Sequence, residues 1–193
     1  MEKIVLATHN RHKCEEFRDM LKGRYDIISL DDIGLNDEIP ETGTTFYENA
    51  RQKAESVRNW LMARNSETTD VMADDSGLEV MALGGRPGVY SARYAGEGCS
   101  SQDCIDKLLG ELKGVADRRA RFVTVIAKMT DAGVEYFEGE VKGSIIDEMR
   151  GEGGFGYDPV FVPEGESKTF AELGNEIKNT MSHRANAVKE MLK

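Results

Sequence analysis

Cysteine is scarce and poorly spaced for pairing: Cys14, Cys99 and Cys104 form an odd set with no CxxC or metal-ligand spacing. That argues against a disulfide scaffold and for free thiols in a reducing, cytoplasmic compartment. Long apolar runs are missing too, and none approaches the length of a membrane span. The chain opens Met1-Glu2-Lys3-Ile4-Val5-Leu6, straight into a strand, with no signal-peptide h-region. Positive charge is in deficit: 25 Lys and Arg against 35 Asp and Glu leave a net charge of −10. A broad nucleic-acid or acidic-membrane surface is therefore not expected. A small polyanion held in a locally basic pocket with a metal remains compatible. Repeats, linkers and low-complexity segments are also absent.

What is there reads as an alternating α/β chain. Its 193 residues suggest one domain, 1–193, of two lobes. A chain of this length buries roughly 70% of its unfolded surface and needs no staples. Strands are expected over Lys3 to Thr8, Tyr25 to Leu30, Val71 to Ala73, Leu78 to Leu83 and Val160 to Val162. A long hairpin is expected from Arg121 to Met129 and Val134 to Ile145, around Asp131-Ala132-Gly133. Helical spacing covers His12 to Leu21, with apolar groups at Cys14, Phe17, Met20 and Leu21. Thr45 with Glu48, and Ser100 with Asp103, have capping-box spacing and open helices toward Arg64 and Leu112. Met181, Ala185, Val188 and Leu192 predict the inner stripe of a last helix. Gly84-Gly85-Arg86-Pro87-Gly88 is a rigid turn and Gly151 to Pro159 a Gly-rich loop. The alternation predicts a mixed sheet flanked by helices.

Five constellations bear on chemistry. In Ala73-Asp74-Asp75-Ser76-Gly77-Leu78, a short apolar strand ends in two carboxylates, at the strand end where open α/β sheets carry sites. Adjacent strand residues face opposite ways, so one Asp can hold a hard cation while the other ties down a turn. An ordinary Asx-type turn is the plain alternative. Thr8-His9-Asn10-Arg11-His12-Lys13 lies between the first strand and the first helix, where exposed N–H groups favour anions. It lacks the glycines and GK[ST] end of a Walker A loop, and an ordinary N-cap reads equally well. Glu41, in Pro40-Glu41-Thr42-Gly43, supplies a second carboxylate for Mg²⁺, unless it is one more acid of an acidic loop. Glu48, Asn49 and Lys53 share adjoining turns of the next helix; Glu48 reads as a solvated face, and Lys53 can reach phosphate. In Gly153-Gly154-Phe155-Gly156-Tyr157-Asp158-Pro159, the glycines let backbone approach a flat ligand and leave the Phe155 ring for stacking. Pro159 biases Asp158 toward extended backbone. Lastly, Ser182 can cap the final helix, which places the cations His183 and Arg184 in its first turn, against the dipole. With Lys178 they form a donor-only set that suits a carbonyl oxygen on a base and rejects an exocyclic amine.

In order, these blocks read T-x-N-x-x-K, E-T-G, A-D-D-S-G-L, G-G-x-P-G-V-Y-S-A-R-Y-A-G, G-F-G-Y-D-P and S-H-R. The set resembles the inosine triphosphate pyrophosphatase family, also called Ham1, from Thr8 to Arg184. The resemblance implies a two-lobed fold around a central cleft and cleavage of a nucleoside triphosphate to monophosphate and pyrophosphate with Mg²⁺. It also implies a homodimer, with noncanonical purine nucleotides (ITP, dITP, XTP) as substrates and neither nucleic acid nor membrane as partner. Carried onto this chain, Thr8 to Lys13 and Lys53 hold the triphosphate, while Glu41 and Asp75 hold the metal. Asp75 also orients or deprotonates the attacking water, and Ser76 contacts substrate. Phe155, Gly156, Tyr157 and Asp158 clamp the base, and Lys178, His183 and Arg184 read its 6-oxo edge. Tyr90, Ala92 and Tyr94 are packing or subunit contact. One departure stands out: an acid is expected before Lys178, and Ile177 is there. Maf-like pyrophosphatases are a related group, against which the G-F-G-Y-D-P and S-H-R blocks argue. A nucleotide sensor without catalysis, or a phosphatase acting on a monophosphate, are the remaining alternatives.

Overall fold

The computed structural model describes residues 1–66 and 69–193. Among the described residues, six strands form one mixed sheet in the order β2-β1-β3-β4-β5-β6. These are β1 (Glu2–Leu6), β2 (Tyr25–Ile28), β3 (Val71–Val80), β4 (Arg119–Thr130), β5 (Gly133–Ile145) and β6 (Phe161–Pro163). β1 runs parallel to β2, with Ile4 opposite Ile27, and parallel to β3, with Leu6 opposite Met72. β4 and β5 are neighbours joined by two residues, a connection only antiparallel strands can make. β6 pairs antiparallel with β5, Ser144 opposite Val162. The helices are α1 (Arg11–Met20), α2 (Phe46–Met62), α3 (Ser101–Glu111), α4 (Phe170–Leu173), α5 (Asn175–Met181) and α6 (His183–Met191).

Two compact units divide this chain. The first holds Met1–Asp75, Thr124–Glu138 and Ala187–Lys193; the second holds Ser76–Val123 and Gly139–Asn186. In the first, Ile4, Leu6, Cys14, Phe17, Leu21, Ile27, Met72, Ile126 and Val188 pack into one core. Asn10 caps α1 by accepting from the Lys13 N–H, which turns Cys14 and Phe17 inward. The Thr45–Glu48 capping box closes in both directions and starts α2. Phe46, Ala50, Ala54, Val57 and Leu61 give α2 its apolar face, and Asn49 and Lys53 are buried beside it. In the second unit, Leu78, Val80, Ile105, Leu108, Phe122, Phe161 and Phe170 build a separate core. The Ser100–Asp103 box starts α3.

Several expectations need correction. Val71 to Ala73 and Leu78 to Leu83 are not separate strands, because β3 runs unbroken through Asp74, Asp75, Ser76 and Gly77. No turn follows the two Asp, so neither ties one down. Asp and Gly are poor strand formers, but lysine partners for both carboxylates override that weak preference. Asp158 is not extended; it opens a 3-10 turn, Asp158–Val160. Leu192 is exposed beyond the end of α6, whose inward residues include Ala185, Ala187 and Val188. The sequence reading also passes over α4 and α5, although Thr169 and Glu172 form a third capping box. Tyr94 is buried, whereas Tyr90 is 53% exposed.

Candidate active site

Within the first unit, acids and lysines interlock. Asp74 and Asp75 are both buried and turn to different partners, as strand alternation requires. Lys13 Nζ lies 2.9 Å from Asp74 Oδ2. Lys53 Nζ donates to Asp75 Oδ1 at 3.3 Å and to Glu41 Oε1 at 2.7 Å. Asn49 Nδ2 donates to the other Asp75 oxygen at 3.1 Å, and Asn49 Oδ1 accepts from the Gly43 N–H at 2.8 Å. Asn49 thus ties the strand carrying Asp75 to the loop carrying Glu41. Gly43 makes that approach possible, since a Cβ there would sit 2.6 Å from Glu48 Cβ and 2.8 Å from Asn49 Oδ1.

The electrostatics follow from burial and crowding. Burial lowers the Lys53 ammonium's pKa, but Asp75, Asp74 and Glu41 outweigh it and leave the pKa above the usual lysine value. Burial pushes the Asp75 carboxyl up, and Lys53 and Lys13 pull it only part of the way back while Glu41 adds to the rise. The two directions agree, because one ammonium faces several carboxylates whereas Asp75 shares its cation with Glu41.

The oxygens of Glu41 and Asp75 reach one nitrogen, so they converge on a single cation position. Carboxylate oxygens are the donors a hard cation takes. Among the described residues no group of three or more His, Cys, Asp or Glu could hold a metal. Two protein carboxylates fit a Mg²⁺ ion that keeps waters and takes the rest of its shell from phosphate oxygens.

The loop Thr8 to Lys13 is drawn in around α1. Thr8 Oγ1 accepts from the Asn10 N–H, and Asn10 Oδ1 from the Lys13 N–H. This is both an N-cap and a helix N-terminus of the kind that attracts anions. His9 Nε2 donates to the Asp37 carbonyl at 2.9 Å, while Arg11 and His12 are exposed. From this loop, Lys13 reaches the Asp74 carboxylate directly.

The second unit holds the other cluster. Asp158 Oδ2 accepts from Lys178 Nζ at 2.7 Å and from the Phe155 N–H at 2.9 Å, so one buried carboxylate folds the Gly-rich loop. Gly154 is obligatory there: its φ is +71°, and a Cβ would lie 2.2 Å from Asp158 Oδ2. Lys178 Nζ stands 4.4 Å from the centre of the Phe155 ring and Arg184 Cζ 5.8 Å, placing cations by an electron-rich face. Phe155 and Gly156 are half-buried, so the loop's ring is not simply exposed. Tyr157 is buried and its hydroxyl donates to the Ser91 carbonyl at 2.7 Å. Burial raises the Tyr157 pKa, and its side chain packs the loop down. The Ser182 hydroxyl accepts from the Ala185 N–H and starts α6. His183 stacks on Phe122 with ring centres 4.9 Å apart, and Arg184 Nη2 donates to Ser76 Oγ at 3.3 Å. Ile177 is 44% exposed, so the residue that departs from the expected pattern points away from the buried Lys178–Asp158 pair.

The structure thus brings together Glu41, Lys53 and Asp75 in one unit and Ser76, Phe155, Asp158, Lys178 and Arg184 in the other. Asn49 is the residue sequence reasoning missed as a participant; its signal was its place four residues before Lys53 on the same capped helix.

The convergent carboxylates of the first unit suit a hard cation with phosphate, and the cation-rich aromatic cluster of the second suits a flat polar group. The Ham1 family profile matches residues 4–193. The dITP/XTP pyrophosphatase of Porphyromonas gingivalis is 49% identical over 192 residues, covering 99% of this chain and 96% of that protein. The dITP/XTP pyrophosphatase of Bacillus subtilis is 48% identical over 197 residues, covering 100% and 96%. The solved structure of the Staphylococcus aureus Ham1 protein superposes with a TM-score of 0.84 at 43% identity, covering 98% of this chain and 96% of that one. The chain belongs to the Ham1 family.

Proposed function

We propose that this protein hydrolyses noncanonical purine nucleoside triphosphates, dITP, XTP and ITP, to the monophosphate and pyrophosphate with Mg²⁺. The observation that carries the reading is the convergence of Glu41 and Asp75 on one cation position. The dITP/XTP pyrophosphatase relatives, nearly half identical over the whole chain, support the same reaction. We read residues 1–193 as one catalytic domain, working as a cytoplasmic homodimer. Its free cysteines suit that compartment, and among the described residues no helix is long and apolar enough to cross a membrane.

Each cluster has its part. Glu41 and Asp75 hold Mg²⁺, which stabilises charge on phosphate oxygens and favours a nucleophilic water. Asp75 accepts a proton from the water as its oxygen bonds the α-phosphorus. The bond from the α-phosphorus to the bridging oxygen breaks, and pyrophosphate leaves. Lys13, Lys53 and the N-terminus of α1 neutralise the triphosphate. Ser76 contacts substrate, and Phe155 with the loop through Asp158 receives the purine. Lys178, His183 and Arg184 donate to its 6-oxo edge and give an amino group nothing to bond. The test is product release from purified protein with Mg²⁺. Pyrophosphate is expected from dITP, XTP and ITP, with little from ATP, GTP or dTTP. Inorganic phosphate in its place, cleavage centred on dTTP, or binding without turnover would each overturn the reading.

A further inference from the structure

Lys53 occupies the place where the site's carboxylates converge. It is 5% exposed, on the buried face of α2, with Glu41 Oε1 at 2.7 Å and Asp75 Oδ1 at 3.3 Å from its Nζ. Asn49 holds the far oxygen of Asp75 and, through the Gly43 N–H, the loop that carries Glu41. The two acids are therefore drawn together on an ammonium, rather than splayed around an open position. A dication cannot take the same oxygens while the ammonium stays, because like charges a few ångströms apart in a buried place repel strongly. Lysine suits a removable cation: it is a compact charge on a flexible stem, and a triphosphate offers it anionic oxygens in exchange.

We propose that Lys53 is the resident counter-cation of the metal position. It pairs with Glu41 and Asp75 in the nucleotide-free protein, holds divalent-metal affinity low, and moves to phosphate when the triphosphate arrives. The proposal rests on the reading of Glu41 and Asp75 as metal ligands. Its consequence is that metal and nucleotide bind cooperatively, so the nucleotide-free protein does not hold an idle metal–carboxylate pair.

The experiment is Mn²⁺ binding to nucleotide-free protein, read as free Mn²⁺ by electron paramagnetic resonance. Wild type is expected to bind weakly. Lys53→Met is expected to bind about tenfold tighter or more, since it removes a buried like charge, and Lys53→Arg to stay like wild type. Adding Glu41→Gln to Lys53→Met should abolish the gain. No gain in Lys53→Met overturns the counter-cation role alone, while loss of Mg²⁺-dependent pyrophosphate release in Glu41→Gln still supports the metal reading. A gain that survives Glu41→Gln places the metal elsewhere and overturns both. If Lys53→Met does not fold, Lys53→Gln, which keeps a hydrogen-bond donor between the acids, carries the same expectation. Wild type alone also decides: tight Mn²⁺ binding without nucleotide overturns the proposal.

Discussion

Lys53 and Lys178 are both buried, at 5% and 1% exposure, and they keep opposite company. Lys53 stands among acids: it bonds Glu41 and Asp75, and Asp74 adds to the field around it. Lys178 bonds the Asp158 carboxylate and stands by aromatic faces, Phe155 at 4.4 Å and Phe170 at 5.9 Å. Around Lys53 negative charge exceeds positive, so that cluster is completed by a further cation. Around Lys178 the cations lie by the Phe155 ring, and Arg184 and His183 follow in the chain, so that cluster presents donors suited to an electron-rich group. The same residue type is a replaceable cation in one unit and part of a fixed scaffold in the other.

Asp75→Asn tests the first half of this contrast, and its effect is expected to be the largest. The amide neither holds a hard cation well nor takes a proton, so pyrophosphate release should fall by about 10²–10⁴-fold, the usual worth of a lost general base. Stability should change little, because two effects oppose. Burial raises the Asp75 pKa, so a neutral side chain relieves a desolvation penalty. The amide NH2, however, must face Lys53 Nζ or Asn49 Nδ2, both of which donate to the carboxylate. Steady-state turnover with urea unfolding checks both. Near-normal turnover would remove Asp75 from the chemistry, and a large loss of stability would make its charge structural.

Lys178→Met sharpens the second half. It removes the 2.7 Å bond from Lys178 Nζ to the buried Asp158 carboxylate, which also accepts from the Phe155 N–H, so the Gly-rich loop loses its anchor. Breaking a buried pair by removing one member costs about 3–5 kcal/mol, seen as a lower urea midpoint. Millimolar Mg²⁺ should restore none of it. Lys53→Met, by contrast, should regain stability with Mg²⁺, because the metal replaces the missing charge. Equal responses of the two variants to Mg²⁺ would erase the distinction between them.

How much of this was legible in the sequence depended on how local each cause was. The boxes at Thr45–Glu48 and Ser100–Asp103 lie within four residues, and both form as spaced. The same box at Thr169–Glu172 was equally legible but starts a helix of one turn, too short for a periodic pattern to flag. β3 was misread because the reason it continues through Asp74 and Asp75 lies elsewhere in the chain, at Lys13 and Lys53. Asn49 was passed over because an amide's use is set by its partner, here Asp75, 26 residues away. Asp158 looked like a ligand contact from its motif; its buried bonds to Lys178 and to the Phe155 N–H make it the residue that shapes the loop. Motif order points to these residues, and the three-dimensional pairing shows which of them bond one another, as Asp158 and Lys178 do.

Arg184→Ala probes the comparison at its finest grain. Arg184 is 1% exposed, bonds Ser76 Oγ, and lies 5.8 Å from the Phe155 ring, so it belongs to the donor-rich cluster without being its anchor. Guanidinium donates and never accepts, so it favours a 6-oxo purine over a 6-amino one through a bond only the first can make. Its loss should lower the kcat/KM ratio of ITP to ATP by about 10- to 100-fold, the worth of a hydrogen bond to a charged donor. Most of the change should come from poorer ITP use. The urea midpoint should fall less than in Lys178→Met, because Asp158 keeps its lysine. An unchanged ratio would move discrimination to Lys178 or His183; a fall shared equally by ITP and ATP would make Arg184 a general support of the pocket.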